Sequence, residues 1–265
     1  LDESQVVGEG RSAAAVKEKG IERVYADYYT RMNDVVRSHN QTMIMYADIV
    51  LNHPGILKLL PKDIVLMFWD YSPRDHYDGL DTIKASGLQM MALSGLWDWN
   101  NLYPVYPPAF RNMEVLAAQA AQTGAMGHFV SDWGDGFRGA AGINLSELSQ
   151  YGYAYCNAVS WNPKPIAMEE YSKAFAANFF GSNAPEFVDA LTRMARCQGE
   201  DLSHTCQARR LFHTDPAEAV ASMAEADDAT MAFWRNLKDQ TETANQAFAK
   251  ASPPREPRTA WPPRP

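Results

Sequence analysis

The sequence predicts an α/β fold, part of a (β/α)8 TIM barrel followed by a helical appendage. Three observations predict it. Short runs that are apolar throughout alternate with helical stretches, the pattern of a parallel sheet covered by helices. No Gly-rich phosphate turn interrupts the strand–helix units, which argues against a dinucleotide-binding fold. Aromatic and acidic residues recur where each strand ends, the edge on which (β/α)8 proteins carry their chemistry.

The elements follow in order. A long helix is expected over about residues 11–40, because Ile21, Val24, Tyr25, Tyr28, Met32, Val35 and Val36 recur at three-to-four spacing. Residues 42–46 (TMIMY) are too few for a helix and read as a buried strand. His53, Pro54 and Gly55 break the chain before a short helix, and Pro61, Lys62 and Asp63 lead into a second strand, IVLMFW. A polar helix over about residues 79–86 stops at Gly87, and LQMMAL reads as the third strand. The Ala-rich stretch 110–123 is helical and stops at Gly124. MGHFVSDW supplies the fourth strand and residues 147–160 the fourth helix. Beyond about Pro165 the strand signal fades, and residues 171–180, 184–197 and 216–250 read as helices. The Pro- and Arg-rich run 252–265 cannot sustain a hydrogen-bonded ladder and is expected to be disordered. The resulting division is a barrel portion over 1–164, a helical region over 165–250 and a tail over 251–265.

Composition narrows the function. The 265 residues are 46% hydrophobic and 21% charged, which excludes wholesale disorder. Lys and Arg number 24 against 32 Asp and Glu, a net charge of −8, so neither nucleic acid nor an anionic membrane is expected as main partner. No apolar run approaches the roughly 18–20 residues that cross a bilayer. Cys156, Cys197 and Cys206 are too few and too widely spaced for a disulfide scaffold or a zinc site. Free thiols are the expectation, with a Cys197–Cys206 bridge the alternative in a secreted chain. The six histidines are scattered, and only His128 falls in a strand, where it reads as a satisfied core residue. No metal and no other cofactor is therefore expected. Leu1 in place of Met, with no charged-then-apolar leader after it, points to a start set by processing or truncation. Cytoplasmic and exported locations both stay open.

The strand ends carry Tyr46 and Asp48, then Trp69 and Asp70, then Trp97, Asp98, Trp99 and Asn100, then Trp133 and Asp135. Any one Trp is most simply a core residue; their recurrence at four successive ends points to a pyranose site. The axial C–H face of a sugar packs on an aromatic ring, while acids and amides exchange hydrogen bonds with its hydroxyls. A glycosidase also needs an acid for the leaving oxygen and a stabiliser for the oxocarbenium-like centre. Asp2 and Glu3 form the adjacent carboxylate pair near a loop, although a DE pair alone reads as a solvated terminus.

The segments LDESQVVGEGRS, MIMYADIVLNHP, LPKDIVLMFWDY, SGLWDWNN, SDWGDGF and YGYAYCNAVSWNP stand in collinear order over about residues 1–162. Together they resemble the second half of the catalytic barrel of family 20 glycoside hydrolases, the β-N-acetylhexosaminidases and their relatives. The resemblance implies barrel strands four (its end) to eight, a retaining hydrolase of terminal N-acetylglucosamine or N-acetylgalactosamine, and no cofactor. It implies that Glu3 is the general acid/base and that Asp2 orients the 2-acetamido group, whose oxygen attacks the anomeric carbon in place of a protein carboxylate. A charged Asp2 should raise the Glu3 pKa and favour the positive charge that develops on the acetamido group.

By the same resemblance Trp69 is the aromatic after strand six, Trp133 the floor under the terminal sugar and Asp135 the acid on its outer hydroxyls. Tyr46 stands where the family usually has a Trp, and Asp135 where a Glu is common. The strand-seven loop, SGLWDWNNLYP, is closer to members with a Trp-Asn pair, which favours Trp99 and Asn100, with Asp98 and Tyr103 in reserve. The family's first strands, with an arginine that grips outer hydroxyls, would precede Leu1. A half barrel exposes strand edges and an apolar interior. The chain alone is therefore expected to be catalytically poor, and to pair with a second copy or with the missing half. Two readings compete with the enzyme: a non-catalytic carbohydrate-binding protein on the same barrel, and a metal-dependent (β/α)8 hydrolase, which the scattered histidines disfavour.

Overall fold

A computed structural model of the chain describes residues 7–99, 101, 103–134, 146–197, 215–224 and 226–250. The helix expected over 11–40 is in fact two, α1 (Ala13–Lys19) and α2 (Ile21–Ser38). They part at Gly20, whose φ of 81° no helical residue can adopt. Then come β1 (Ile44–Tyr46), α3 (Asp48–Asn52), a 3-10 turn (Pro54–Lys58), β2 (Val65–Trp69), α4 (Asp78–Ser86), β3 (Gln89–Gly95), α5 (Tyr106–Thr123) and β4 (His128–Ser131). Gly87 and Gly124, at φ 72° and 81°, end α4 and α5 as expected. The remaining elements are helical: α6 (Ser146–Trp161), α7 (Met168–Phe175) with a π turn (Ala176–Phe180), α8 (Pro185–Arg196), α9 (Pro216–Ala224) and α10 (Asp228–Lys250). The tail 251–265 and Cys206 lie outside the described residues.

The strands form one four-stranded parallel sheet in the order β1-β2-β3-β4. Tyr46 aligns with Met67 and Met67 with Met91, while Trp69 aligns with Leu93. The fold is thus mixed α/β, as expected. Closure into a barrel is not seen among the described residues, whose sheet ends on the open edges of β1 and β4.

The chain divides into two compact units, Leu1–Ser94 with Val115–Phe129, and Gly95–Glu114 with Val130–Pro265. In the first, alternate strand residues Leu66, Phe68, Met90 and Ala92 join Ile49, Val50, Ile56, Leu80, Ile83 and Leu116 in one buried cluster. Each of the Leu, Ile, Val, Phe and Met side chains contributes about 1.5–3 kcal/mol through removal from water. The intervening positions are mixed: Val65 and Leu93 are buried, while Ile44, Tyr46 and Trp69 are exposed, as is Phe129 on β4. Parallel sheets are ordinarily covered on both faces; here that second face is covered at Val65 and Leu93 and open at Ile44, Tyr46 and Trp69 among the described residues. One polar clamp stiffens the first unit. The Gln119 side chain accepts from the Tyr77 N–H at 2.8 Å and donates to its carbonyl at 3.0 Å, both buried.

The second unit is built on aromatic rings. Phe110 on α5 stacks on Tyr155 of α6 with ring centres 3.6 Å apart, and Tyr171 on α7 meets Tyr151 edge-on at 4.7 Å. The seam continues through Phe175 and Phe180 to Phe187 on α8 and Phe248 on α10. The hydroxyls are satisfied: Tyr171 donates to the Tyr151 carbonyl at 2.5 Å, and Tyr151 pairs with Ser172 Oγ at 2.7 Å. Gly152 lets α6 approach closely, for a Cβ there would lie 2.1 Å from Leu96 Cδ1 and 2.8 Å from the Tyr106 ring. Cys156 and Cys197 are buried. No described helix is long and apolar enough to cross a membrane.

Candidate functional site

In the second unit, Leu96 N–H donates to the Ser131 carbonyl at 3.0 Å, and both strands then break into loops. Trp97 turns the chain with φ 60°, a left-handed conformation that a bulky side chain seldom adopts and that marks functional loops. Its ring lies 4.7 Å from that of Trp99. Asn101 fastens the turn: its amide donates to the Trp99 carbonyl at 3.1 Å, and its N–H donates to the Asp98 carbonyl at 3.1 Å. Asp98, between the two indoles, is only 1% exposed.

The carboxyl of Asp98 meets the loop after β4. Its Oδ1 accepts the Trp133 N–H at 3.0 Å. Its Oδ2 is buried and has no hydrogen-bond partner among the described residues, and the Asp132 carboxyl neighbours the Asp98 side chain. Asp132 accepts the Gly134 N–H at 2.9 Å and the hydroxyl of Tyr153 from α6, with the buried Ser149 beside it. Burial, and then the neighbouring Asp132, push the Asp98 carboxyl up to about 8. Partial burial alone would raise Asp132 too, but its interaction with Asp98 and the hydrogen bonds from Tyr153 and Gly134 outweigh it and hold Asp132 below the usual carboxylate range. The two carboxyls are thus pushed apart, Asp98 towards its protonated form and Asp132 towards its ionised form. Trp133 follows the pair with 46% of its surface exposed.

The first unit has its own aromatic strand ends. Tyr46 closes β1 and is 58% exposed; Trp69 closes β2, 39% exposed, with its ring 5.1 Å from Tyr71. Asp70 is committed to the following turn, where it accepts from Ser72 N–H at 2.8 Å and Arg74 Nε at 2.7 Å. His128 on β4 is half-buried beside Ser94 Oγ at 3.1 Å, and desolvation lowers its imidazole to about 4. It is a neutral core group. No cluster of three or more His, Cys, Asp or Glu that could hold a metal occurs among the described residues.

Of the expected site residues, Asp2, Glu3, Asn100 and Asp135 lie outside the described residues. Tyr46 and Trp69 stand at the ends of adjacent strands, and Trp99 and Trp133 flank the Asp98–Asp132 pair in chain order. The reserve residue Tyr103 packs edge-on to Tyr106 at 5.4 Å, and burial raises its phenol. Asp132 and Tyr153 escape the sequence reading. Their signal is faint: Asp132 is the first polar-acidic residue past the apolar run HFV, next to a Trp, as Asp98 also is. No protein-family model matches this sequence, and no curated protein is significantly similar to it.

Proposed function

We propose that this chain forms the sugar-holding part of a glycoside hydrolase that removes terminal, non-reducing β-linked N-acetylglucosamine or N-acetylgalactosamine by substrate-assisted, retaining catalysis. The observation that carries the reading is, in the first unit, that two adjacent strands end on exposed rings, Tyr46 on β1 and Trp69 on β2; in the second unit, taken by itself, the loop after β4 likewise presents the exposed Trp133. Exposed rings at the functional edge of a parallel sheet are a fit surface for the C–H face of a pyranose. Glu3 gives its proton to the leaving oxygen as the acetamido oxygen attacks the anomeric carbon. It then takes a proton from the water that opens the oxazolinium, while Asp2 holds the acetamido group.

The partly open sheet face calls for completion by a second copy or by further chain, so hydrolysis by the 265 residues alone is expected to be weak. A sugar-binding protein without catalysis is the second reading, since exposed rings suffice to hold a sugar. Hydrolysis of chromogenic β-N-acetylglucosaminide and β-N-acetylgalactosaminide by wild type and Glu3→Gln separates the two. The enzyme reading expects turnover that Glu3→Gln abolishes while sugar binding persists. Turnover that survives in Glu3→Gln contradicts it, and binding without turnover in either protein favours the second reading.

A further inference from the structure

The loop after β4 is fastened at three successive residues to one carboxyl network. Asp132 faces the Asp98 side chain, the Trp133 N–H donates to Asp98 Oδ1 at 3.0 Å, and the Gly134 N–H donates to Asp132 at 2.9 Å. Asp98 is itself fixed from behind by the turn that Asn101 ties together. Two ionised carboxylates in this place would leave Asp98 Oδ2 buried, unpaired and facing a like charge, an arrangement of high cost. One shared proton relieves this: a proton on Asp98 Oδ2 has the neighbouring Asp132 carboxylate as acceptor, and Oδ1 stays free to accept from Trp133.

We propose that Asp98 is a positioning residue, which shares one proton with Asp132 and through it holds the Trp133 indole in the seat on which a sugar ring stacks. The proposal rests on the reading of Trp133 as a sugar floor. The titratable groups that act on Asp98 among the described residues are Asp132 and, from α6, Tyr153. The sign follows. Asp98 is raised, so the latch is closed while Asp98 is protonated, and it opens as pH rises through about 8.

Two readouts test this on the full chain. In protein labelled with 13C-aspartate, infrared spectra at neutral pH should show a carboxylic-acid carbonyl band that Asp98→Asn removes; its absence from wild type overturns the shared proton. Second, affinity for N-acetylglucosamine, followed by tryptophan fluorescence, should fall about tenfold as pH rises through the titration, the worth of one charge-assisted hydrogen bond. Asp98→Ala should be weak at every pH. Asp98→Asn, whose amide can accept from Trp133 and donate to Asp132, should restore most of that loss with no alkaline decline. An alkaline decline retained in Asp98→Asn, or no rescue by it, overturns the positioning role. If wild type binds no sugar at any pH while the acid band is present, the sugar-floor reading fails with the positioning role, and the shared proton alone stands.

Discussion

The backbone N–H of Trp133 donates to the side chain of Asp98 at 3.0 Å, so a buried acid after β3 sets where an exposed indole after β4 stands. Backbone groups at strand ends lose their ladder partners, and each needs another acceptor. Here the acceptor is a buried carboxyl, whose protonated form burial favours. The arrangement is local to the second unit.

Gln119 pairs with both backbone groups of Tyr77 at the start of α4. Gln119→Leu leaves a buried N–H and a buried carbonyl without partners and should destabilise the fold by about 1–3 kcal/mol. Urea unfolding checks this through the midpoint, with the slope unchanged.

Gly152→Ala places a methyl 2.1 Å from Leu96 Cδ1 and 2.8 Å from Tyr106. Overpacking of this kind costs about 1–3 kcal/mol. Leu96→Ala made in the Gly152→Ala background should cost less than in wild type, since the two side chains compete for one space. A double-mutant cycle on thermal unfolding reads that coupling.

Burial holds the His128 imidazole at about 4. The unfolded chain takes up a proton at about 6.5 and the folded one only near 4, so stability is lost as pH falls between these values. His128→Gln should flatten that part of the stability–pH curve, measured by denaturant midpoints across the acid range.

The strands were legible because 64–69 and 88–93 are apolar runs bounded by turn residues, and β2 and β3 lie within two residues of them. The break at Gly20 was not, because the apolar spacing resumes at once with Ile21 and Val24 and one glycine does not interrupt the pattern. The helix α5 begins at Tyr106 rather than Phe110, since Pro107 and Pro108 read as breakers but fit a first helical turn, whose N–H groups have no partner to lose. At the site, Trp69 and Trp133 were visible from their place after apolar runs. Asp132 was not, because its role comes from a partner in another loop and a tyrosine on α6, contacts that no local spacing encodes.

The central claim is that exposed rings at the strand ends hold a pyranose, and titration calorimetry with N-acetylglucosamine and its β-linked disaccharide tests it most directly. Wild type at neutral pH should bind, and Trp133→Ala should bind about tenfold more weakly, a loss of about 1.4 kcal/mol. No binding by wild type, or equal binding by Trp133→Ala, would contradict the account.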